Sequence, residues 1–145
     1  MNYVIRAIES NDRHEVLEMM RAFYSSPAVF TNGGEEIFEA DFNACINGSP
    51  YIEGFVFESE SSILGYAMIA KSFSTEFGKK CIWIEDLYIK AEFRGLGLGS
   101  KFLSYIEKRY PDSVFRLEVE EENERAVSVY KKSGFGILPY MEMKK

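Results

Sequence analysis

Side chains that bind metals or carry thiol chemistry are scarce in this 145-residue chain, which holds one histidine and two cysteines. A zinc site built on histidines needs more than one, so no metal is expected. His14 lies in a polar stretch that starts a helix, far from any nucleophile motif. It is expected at the surface and not in a serine–histidine triad. Cys45 and Cys81 sit in apolar settings without CxxC spacing, the pattern of reduced, buried thiols in a cytosolic protein. Basic residues are also in deficit, since 17 Lys and Arg face 23 Asp and Glu for a formal net charge of -6. Nucleic-acid binding needs clustered cations to displace counterions, and neither a basic stripe nor aromatic–basic interleaving occurs, so no nucleic-acid partner is expected. The acidic balance suits solubility and is compatible with cationic small substrates.

Long apolar runs are missing as well. The longest, "ILGYAMIA", is far too short to cross a bilayer. The opening "MNYVIRAIES" alternates like a strand and lacks the charged flank and apolar core of a signal peptide. A cytoplasmic protein without a membrane partner is expected. The length fits one domain spanning residues 1–145 with a sizeable core. Twelve Phe and nine Tyr supply much of the apolar bulk for that core.

Hydrophobic periodicity orders the elements. Tyr3–Glu9 reads as a strand. Asp12 is placed to cap a helix on which Val16, Leu17, Met20, Phe23 and Tyr24 recur at helical spacing. Pro27 and a double glycine break the pattern, and Glu35–Ile46 predicts a second amphipathic helix. Tyr51–Glu58 and Ile63–Lys71 predict a hairpin joined by "SESS", with Gly65 marking a bulge or a close backbone approach. "CIWIEDLYIK" is the next strand. A helix follows from about Gly99 to Tyr110, stopped by Pro111. "SVFRLEVE" is a further strand, and Asn123 is placed to cap a last helix that ends at Gly134. "ILPYMEMKK" is expected to close the chain as an edge strand, with Pro139 limiting its pairing. The order β-α-α-β-β-β-α-β-α-β gives a mixed α/β (α+β) domain.

One loop carries the chemistry. "RGLGLGS" puts Gly95, Gly97 and Gly99 between a strand and an amphipathic helix. A helix start offers unpaired N–H groups and partial positive charge, glycines let the backbone come close to an anion, and Arg94 adds a charge at the flank. The bland alternative is a flexible turn. Two nucleotide loops are excluded on spacing. A Walker A loop needs Gly-Lys-Ser/Thr, whereas Ser100 here precedes Lys101. A Rossmann fingerprint needs G-x-G-x-x-G after the first strand, whereas these glycines alternate late in the chain.

Residues Ile82 to Phe135 resemble the GNAT superfamily of acyl-CoA-dependent N-acetyltransferases. Arg94-Gly95-Leu96-Gly97-Leu98-Gly99 matches that family's [RQ]-x-x-G-x-[GA] loop. Downstream, "NERAVSVYKKSGF" matches N-x-x-A-x-x-x-Y-x-[KR]-x-G-F at Asn123, Ala126, Tyr130, Lys132, Gly134 and Phe135. "IEDLYI" followed by RG is locally similar to spermidine/spermine-type acetyltransferases, without fixing the acceptor. The resemblance implies a mostly antiparallel sheet of about six to seven strands flanked by about four helices.

It also implies roles. Leu87, Tyr88 and Ile89 would offer backbone groups to a pantetheine arm as an added strand does, and one N–H would polarise the thioester carbonyl. Amides from Gly95 to Ser100 (Gly95, Leu96, Gly97, Leu98, Gly99, Ser100), flanked by Arg94, would cradle the pyrophosphate of acetyl-CoA, with Asn123 touching the same co-substrate. Tyr130 would protonate the departing thiolate; its bland alternative is a core aromatic. Glu85 is the implied base, acting directly or through water. Strand alternation sends Glu85 and Asp86 to opposite faces and does not choose between them; the resemblance favours Glu85. The run Glu118–Glu124 is either a lure for a cationic amine or solvated charge at a helix start. Phe23, Tyr24, Phe30 and Phe38 either line an acceptor pocket or pack. The expected partner is an amine, of a small molecule or of a peptide, and many members of the family form homodimers. The competing reading is a GNAT-fold sensor or partner module that binds acyl-CoA without turnover.

Overall fold

The computed structural model describes residues 2–29, 33–60 and 62–145. Phe30, a candidate pocket residue, and Ser61 of the expected "SESS" turn lie outside the described residues. The elements are β1 (Val4–Ala7), α1 (Arg13–Tyr24), α2 (Glu35–Ile46), β2 (Ile52–Ser59), β3 (Ser62–Ser74), β4 (Lys79–Ile89), α3 (Leu98–Arg109), β5 (Val114–Leu117) and α4 (Glu124–Lys132). The strands form one sheet in chain order, antiparallel from β1 to β4, with β5 parallel to β4. Each face buries an apolar stripe. Val16, Leu17, Met20, Phe38 and Phe42 of α1 and α2 pack on Val56, Tyr66 and Met68. Leu98, Phe102, Leu103 and Ile106 of α3 pack on Phe55, Phe57, Ile69, Ile82 and Ile84. These are the i, i+3, i+4 positions of amphipathic helices, so periodicity and burial agree.

Three expectations need correction. The sheet has five strands among the described residues, not six to seven, because Ile137–Lys145 forms no strand. Pro139 lacks the N–H a ladder needs, and Ile137, Met141 and Met143 are more than four-fifths exposed, so the segment buries too little to offset ordering a strand. Asp12 stands at the start of α1 but does not cap it. Its carboxylate accepts from the Glu9 N–H at 2.7 Å and from Arg6 at 2.8 and 3.0 Å, and Arg6 also donates to Glu58 of β2. Burial pushes the Asp12 pKa up, but the bonds from Arg6 and the Glu9 amide outweigh it and hold the group below its usual range. The third correction concerns alternation in β4. Met68 pairs with Asp86, yet Ile69 pairs with Ile84, so Glu85 is an extra residue, a β-bulge.

That bulge resets the strand. Ile82 and Ile84 face the α3 side before it, and Leu87 and Ile89 face the same side after it. Tyr88 and the buried Asp86 take the α1–α2 side. Gly65 shows both features anticipated for it. The β2–β3 register slips beside it, since Phe57 pairs with Gly65 and Glu58 with Ile63. A methyl group at Gly65 would also collide with the Tyr88 carbonyl oxygen. Gly65→Ala is therefore expected to cost about 2 kcal/mol, seen as a lower urea midpoint at unchanged m-value; an unaltered midpoint would show that β3 and β4 can separate here.

Candidate active site

The β4–β5 ladder covers only Cys81–Ile84 against Val114–Leu117, while β4 runs on to Ile89. Beyond the bulge, one edge of β4 therefore has no strand partner among the described residues. A cavity of about 620 Å³ opens beside this edge. Leu87, Tyr88 and Ile89 line one wall, Arg94, Gly95, Gly97, Leu98, Gly99 and Ser100 a second, and Asn123 and Tyr130 of the α4 region a third. Leu96 does not line it, its side chain being exposed to solvent, and neither does Glu85. Phe23, Ser26, Pro27 and Ala28, at and beyond the end of α1, close the remaining side.

The glycine loop has the backbone geometry that favours glycine. Gly95 and Gly97 both have φ of 81°, in the left-handed region, and Gly97 is the residue from which α3 starts. The first helical amide with an acceptor in this turn is that of Lys101, bonded to the Gly97 carbonyl at 3.0 Å. The N–H groups of Leu98, Gly99 and Ser100 precede it and, among the described residues, take no protein acceptor. Unpaired donors, a helix dipole and glycines without Cβ atoms at the loop together fit an anionic diphosphate. Arg94 is turned toward the strand, its Nε donating to the Ile89 carbonyl at 2.8 Å and its guanidinium lying 5.5 Å from the Tyr88 ring centre. Arg125, which sequence reasoning passed over, lines the cavity and reaches Gly95. Its only signal is a cation in the first turn of the helix that follows Asn123.

Asn123 caps α4 as expected, accepting the Ala126 N–H through Oδ1 at 3.4 Å. The cap presents Tyr130 two turns on, where its ring meets Phe135 edge-on at 5.9 Å. Burial raises the Tyr130 pKa, which keeps the phenol protonated and able to donate. Glu85, pushed out by the bulge, is exposed, yet desolvation first and then the charges of Asp86 and Glu142 raise its pKa. Glu118 is pushed up to about 7, mainly by a hydrogen bond with Glu142 of the C-terminal segment.

Of the other carboxyl groups near Glu85, Asp86 was weighed from sequence as the alternative on the same strand, and Asp41 was not singled out. Asp86 is 3 % exposed, accepting the Tyr24 hydroxyl at 2.9 Å and the Tyr66 hydroxyl at 2.7 Å. Asp41 of α2 is pushed up to about 6 by burial, then by the charges of Asp86 and Glu85. The charges of both Glu85 and Asp86 are thus felt on α2. Of the aromatic candidates, Phe23 lines the cavity, Tyr24 binds Asp86, and Phe38 is buried in the core. His14 is exposed, Cys81 buried and Cys45 half-buried, and the two cysteines are unbonded.

A mixed sheet open at β4 thus has a glycine loop at its end and a tyrosine-bearing helix opposite. The profile of the Acetyltransferase (GNAT) family matches residues 14–135, and the chain belongs to that family. Thialysine N-epsilon-acetyltransferase of Sus scrofa is 31 % identical over 144 residues, covering 90 % of this chain and 82 % of the relative. The Bos taurus protein of the same name matches equally. Among solved structures, a possible acetyltransferase from Clostridium difficile 630 superposes with a TM-score of 0.84 at 16 % identity, over 100 % of this chain and 97 % of that one. AAC(6')-Iy in complex with the bisubstrate analog CoA-S-monomethyl-acetylneamine superposes with a TM-score of 0.80 at 11 % identity, over 100 % and 98 %. These two likenesses are of fold. No described helix is long and apolar enough to cross a membrane.

The raised pKa of Asp41 has a stability consequence. Its ordinary value is 3.8 and its folded value about 6, so the folded state holds this proton more tightly than the unfolded state. The linked stability is present below about pH 4 and is lost as pH rises through about 6. Asp41→Asn, which cannot ionise, is therefore expected to raise Tm relative to wild type at pH 7.5, the difference shrinking toward pH 4. Parallel melting curves that keep a constant gap would contradict this.

Proposed function

We propose that the enzyme transfers the acetyl group of acetyl-CoA to the primary amine of a small acceptor, by direct attack within a ternary complex. The observation that carries this reading is a single cleft lined by the open edge of β4, the free amides of the glycine loop, Asn123 and Tyr130. Bound acetyl-CoA would supply an activated thioester. The amides of Leu98, Gly99 and Ser100, with Gly95 and Gly97 admitting close approach, would hold its pyrophosphate, and Arg94 and Arg125 would add charge. The backbone of Leu87–Ile89 would bind the pantetheine arm in extended form and give one N–H to the thioester oxygen.

An alkyl amine is protonated at neutral pH and must lose that proton before it can attack. Glu85 would accept it, directly or through water. Its raised pKa brings the carboxylate closer to the acidity a neutral-pH base needs. The bond from nitrogen to the acetyl carbon would form as the carbon–sulfur bond breaks. Tyr130 would deliver its hydroxyl proton to the sulfur and be reprotonated, through water, by the proton that the acylated nitrogen sheds, while Glu85 releases its own to solvent. The relatives named for the Nε of thialysine support an amine acceptor. The acidic groups Asp41, Glu85 and Asp86 support a cationic one.

Tyr130→Phe tests the assignment. Thiol release from acetyl-CoA across a panel of lysine-like amines and diamines is expected to fall by about 100-fold in kcat, with acetyl-CoA affinity unchanged. Full kcat in the variant would remove Tyr130 from the reaction. Tight acetyl-CoA binding without release of thiol in the wild type would favour a sensor.

A further inference from the structure

We propose that Asp86 is a positioning residue for the acceptor: by accepting the Tyr24 hydroxyl it fixes the end of α1, and with it the Phe23–Ala28 wall of the cleft, against the bulge that carries Glu85. This rests on the reading above, in which the amine approaches Glu85. A carboxylate buried to 3 % exposure among apolar and aromatic side chains is a poor device for stability, because an apolar residue of the same size would spare its desolvation. Its two hydroxyl partners come from different parts of the chain. Tyr66 lies on β3, the neighbouring strand, and ties Asp86 to the sheet. Tyr24 is the last residue of α1 and is followed directly by the segment that lines the cleft.

Among the described residues, the rest of that wall is held to the sheet by packing alone. The Phe23 ring meets the Tyr66 and Tyr88 rings edge-on at 6.4 and 6.1 Å. Among the described residues, the Ser26 hydroxyl bonds within its own turn, to the Phe23 carbonyl and the Ala28 amide. The Tyr24 ring tilts on Phe38 of α2 at 5.3 Å. At the other end of the helix, Lys90 just beyond β4 binds Glu15 at 3.0 Å. The start of α1 is thus tied to the β4 chain by an ion pair and its end to β4 by the Tyr24 hydroxyl, while Arg21 in its last turn is paired with Glu35 of α2 at 2.7 Å. Rings slide on one another at little cost, whereas a hydrogen bond to a carboxylate sets both distance and direction. The bond therefore fixes where the wall stands relative to Asp86 in β4, and hence the width of the cleft mouth on that side.

Asp86 has a second route to the same site through its charge. The groups facing it are Tyr24 from α1, Asp41 and Cys45 from α2, Tyr66 from β3, and Glu85 beside it on β4. Among the described residues no cation pairs with it. Its charge is felt by Glu85 and Asp41, and removing that charge makes both more acidic.

The test compares Tyr24→Phe with Tyr66→Phe, which each delete one hydroxyl from the same carboxylate, alongside Asp86→Asn. Hydrogen exchange reads the wall, and thiol release with a lysine-like amine reads the acceptor site. Tyr24→Phe is expected to speed exchange at Ser25–Val29 and raise the acceptor KM, each roughly tenfold, while acetyl-CoA affinity is kept. Tyr66→Phe is expected to lower Tm but to leave both readouts within about twofold of wild type. In Asp86→Asn the acidic limb of kcat shifts to lower pH. Equal effects of the two tyrosine variants, unchanged exchange in Tyr24→Phe, or faster exchange with unchanged acceptor KM would each overturn the proposal. A wild type that binds acetyl-CoA but acetylates no amine in the panel would overturn the underlying reading, and this role with it.

Discussion

Strand β4 has to belong to the sheet and to the cleft at once. From Cys81 to Ile84 it is a parallel partner of β5, and from there to Ile89 β3 alone pairs with it among the described residues. The change occurs at Glu85, where an extra residue breaks the register. A regular ladder carried through this point would use the backbone groups of Leu87–Ile89 for sheet pairing. The bulge instead turns Asp86 into the α1–α2 core, leaves Glu85 exposed, and returns Leu87 and Ile89 to the α3 face. Bulges bend strands and re-aim side chains, and here one extra residue decides where two carboxyl groups and a stretch of open backbone lie.

The remainder of the site is built around that break. Gly65 allows β3 to run close against Tyr88, so β4 stays paired on the side away from the cleft. The β4 chain then passes through Arg94, bonded back to Ile89, into two glycines with positive φ, and α3 begins with three free amides. Positive potential from the helix start and from Arg125 gathers at one end of the cleft. Negative charge gathers beside the β4 bulge, outside the cavity lining, where the charge of Asp86 adds to burial in raising the pKa values of Asp41 and Glu85. A co-substrate with a diphosphate and an acceptor with an ammonium group would be drawn to the two ends of the open β4 segment, the glycine loop and the bulge. The proposed reaction needs that separation, because the two meet only at the thioester.

Much of this was legible in the sequence wherever the signal was local. The α2 helix runs from Glu35 to Ile46 as its periodicity predicts, and Asn123 caps α4. The glycine loop lies between a strand and a helix, as its spacing implies. What was not legible depended on distant partners. Asp86 looks like any strand carboxylate until Tyr24 and Tyr66, 62 and 20 residues away, bring hydroxyls to it. The bulge at Glu85 has no marker of its own, since a strand one residue out of register reads the same as a regular one. Asp12 has the residue type and place of a helix cap, but Arg6 and the Glu9 amide compete for its oxygens and win. The C-terminal segment has a strand's composition, but strand formation needs an available edge and burial, and neither is written in the residues themselves.

Amide hydrogen exchange with and without acetyl-CoA tests the central claim, that the open edge of β4 and the start of α3 together receive the acyl-CoA. Protection is expected to rise at Leu87–Ile89 and at Gly95–Ser100, while β1 and β2 stay unchanged. Protection confined to the glycine loop, with the β4 amides exchanging as in the free protein, would contradict it.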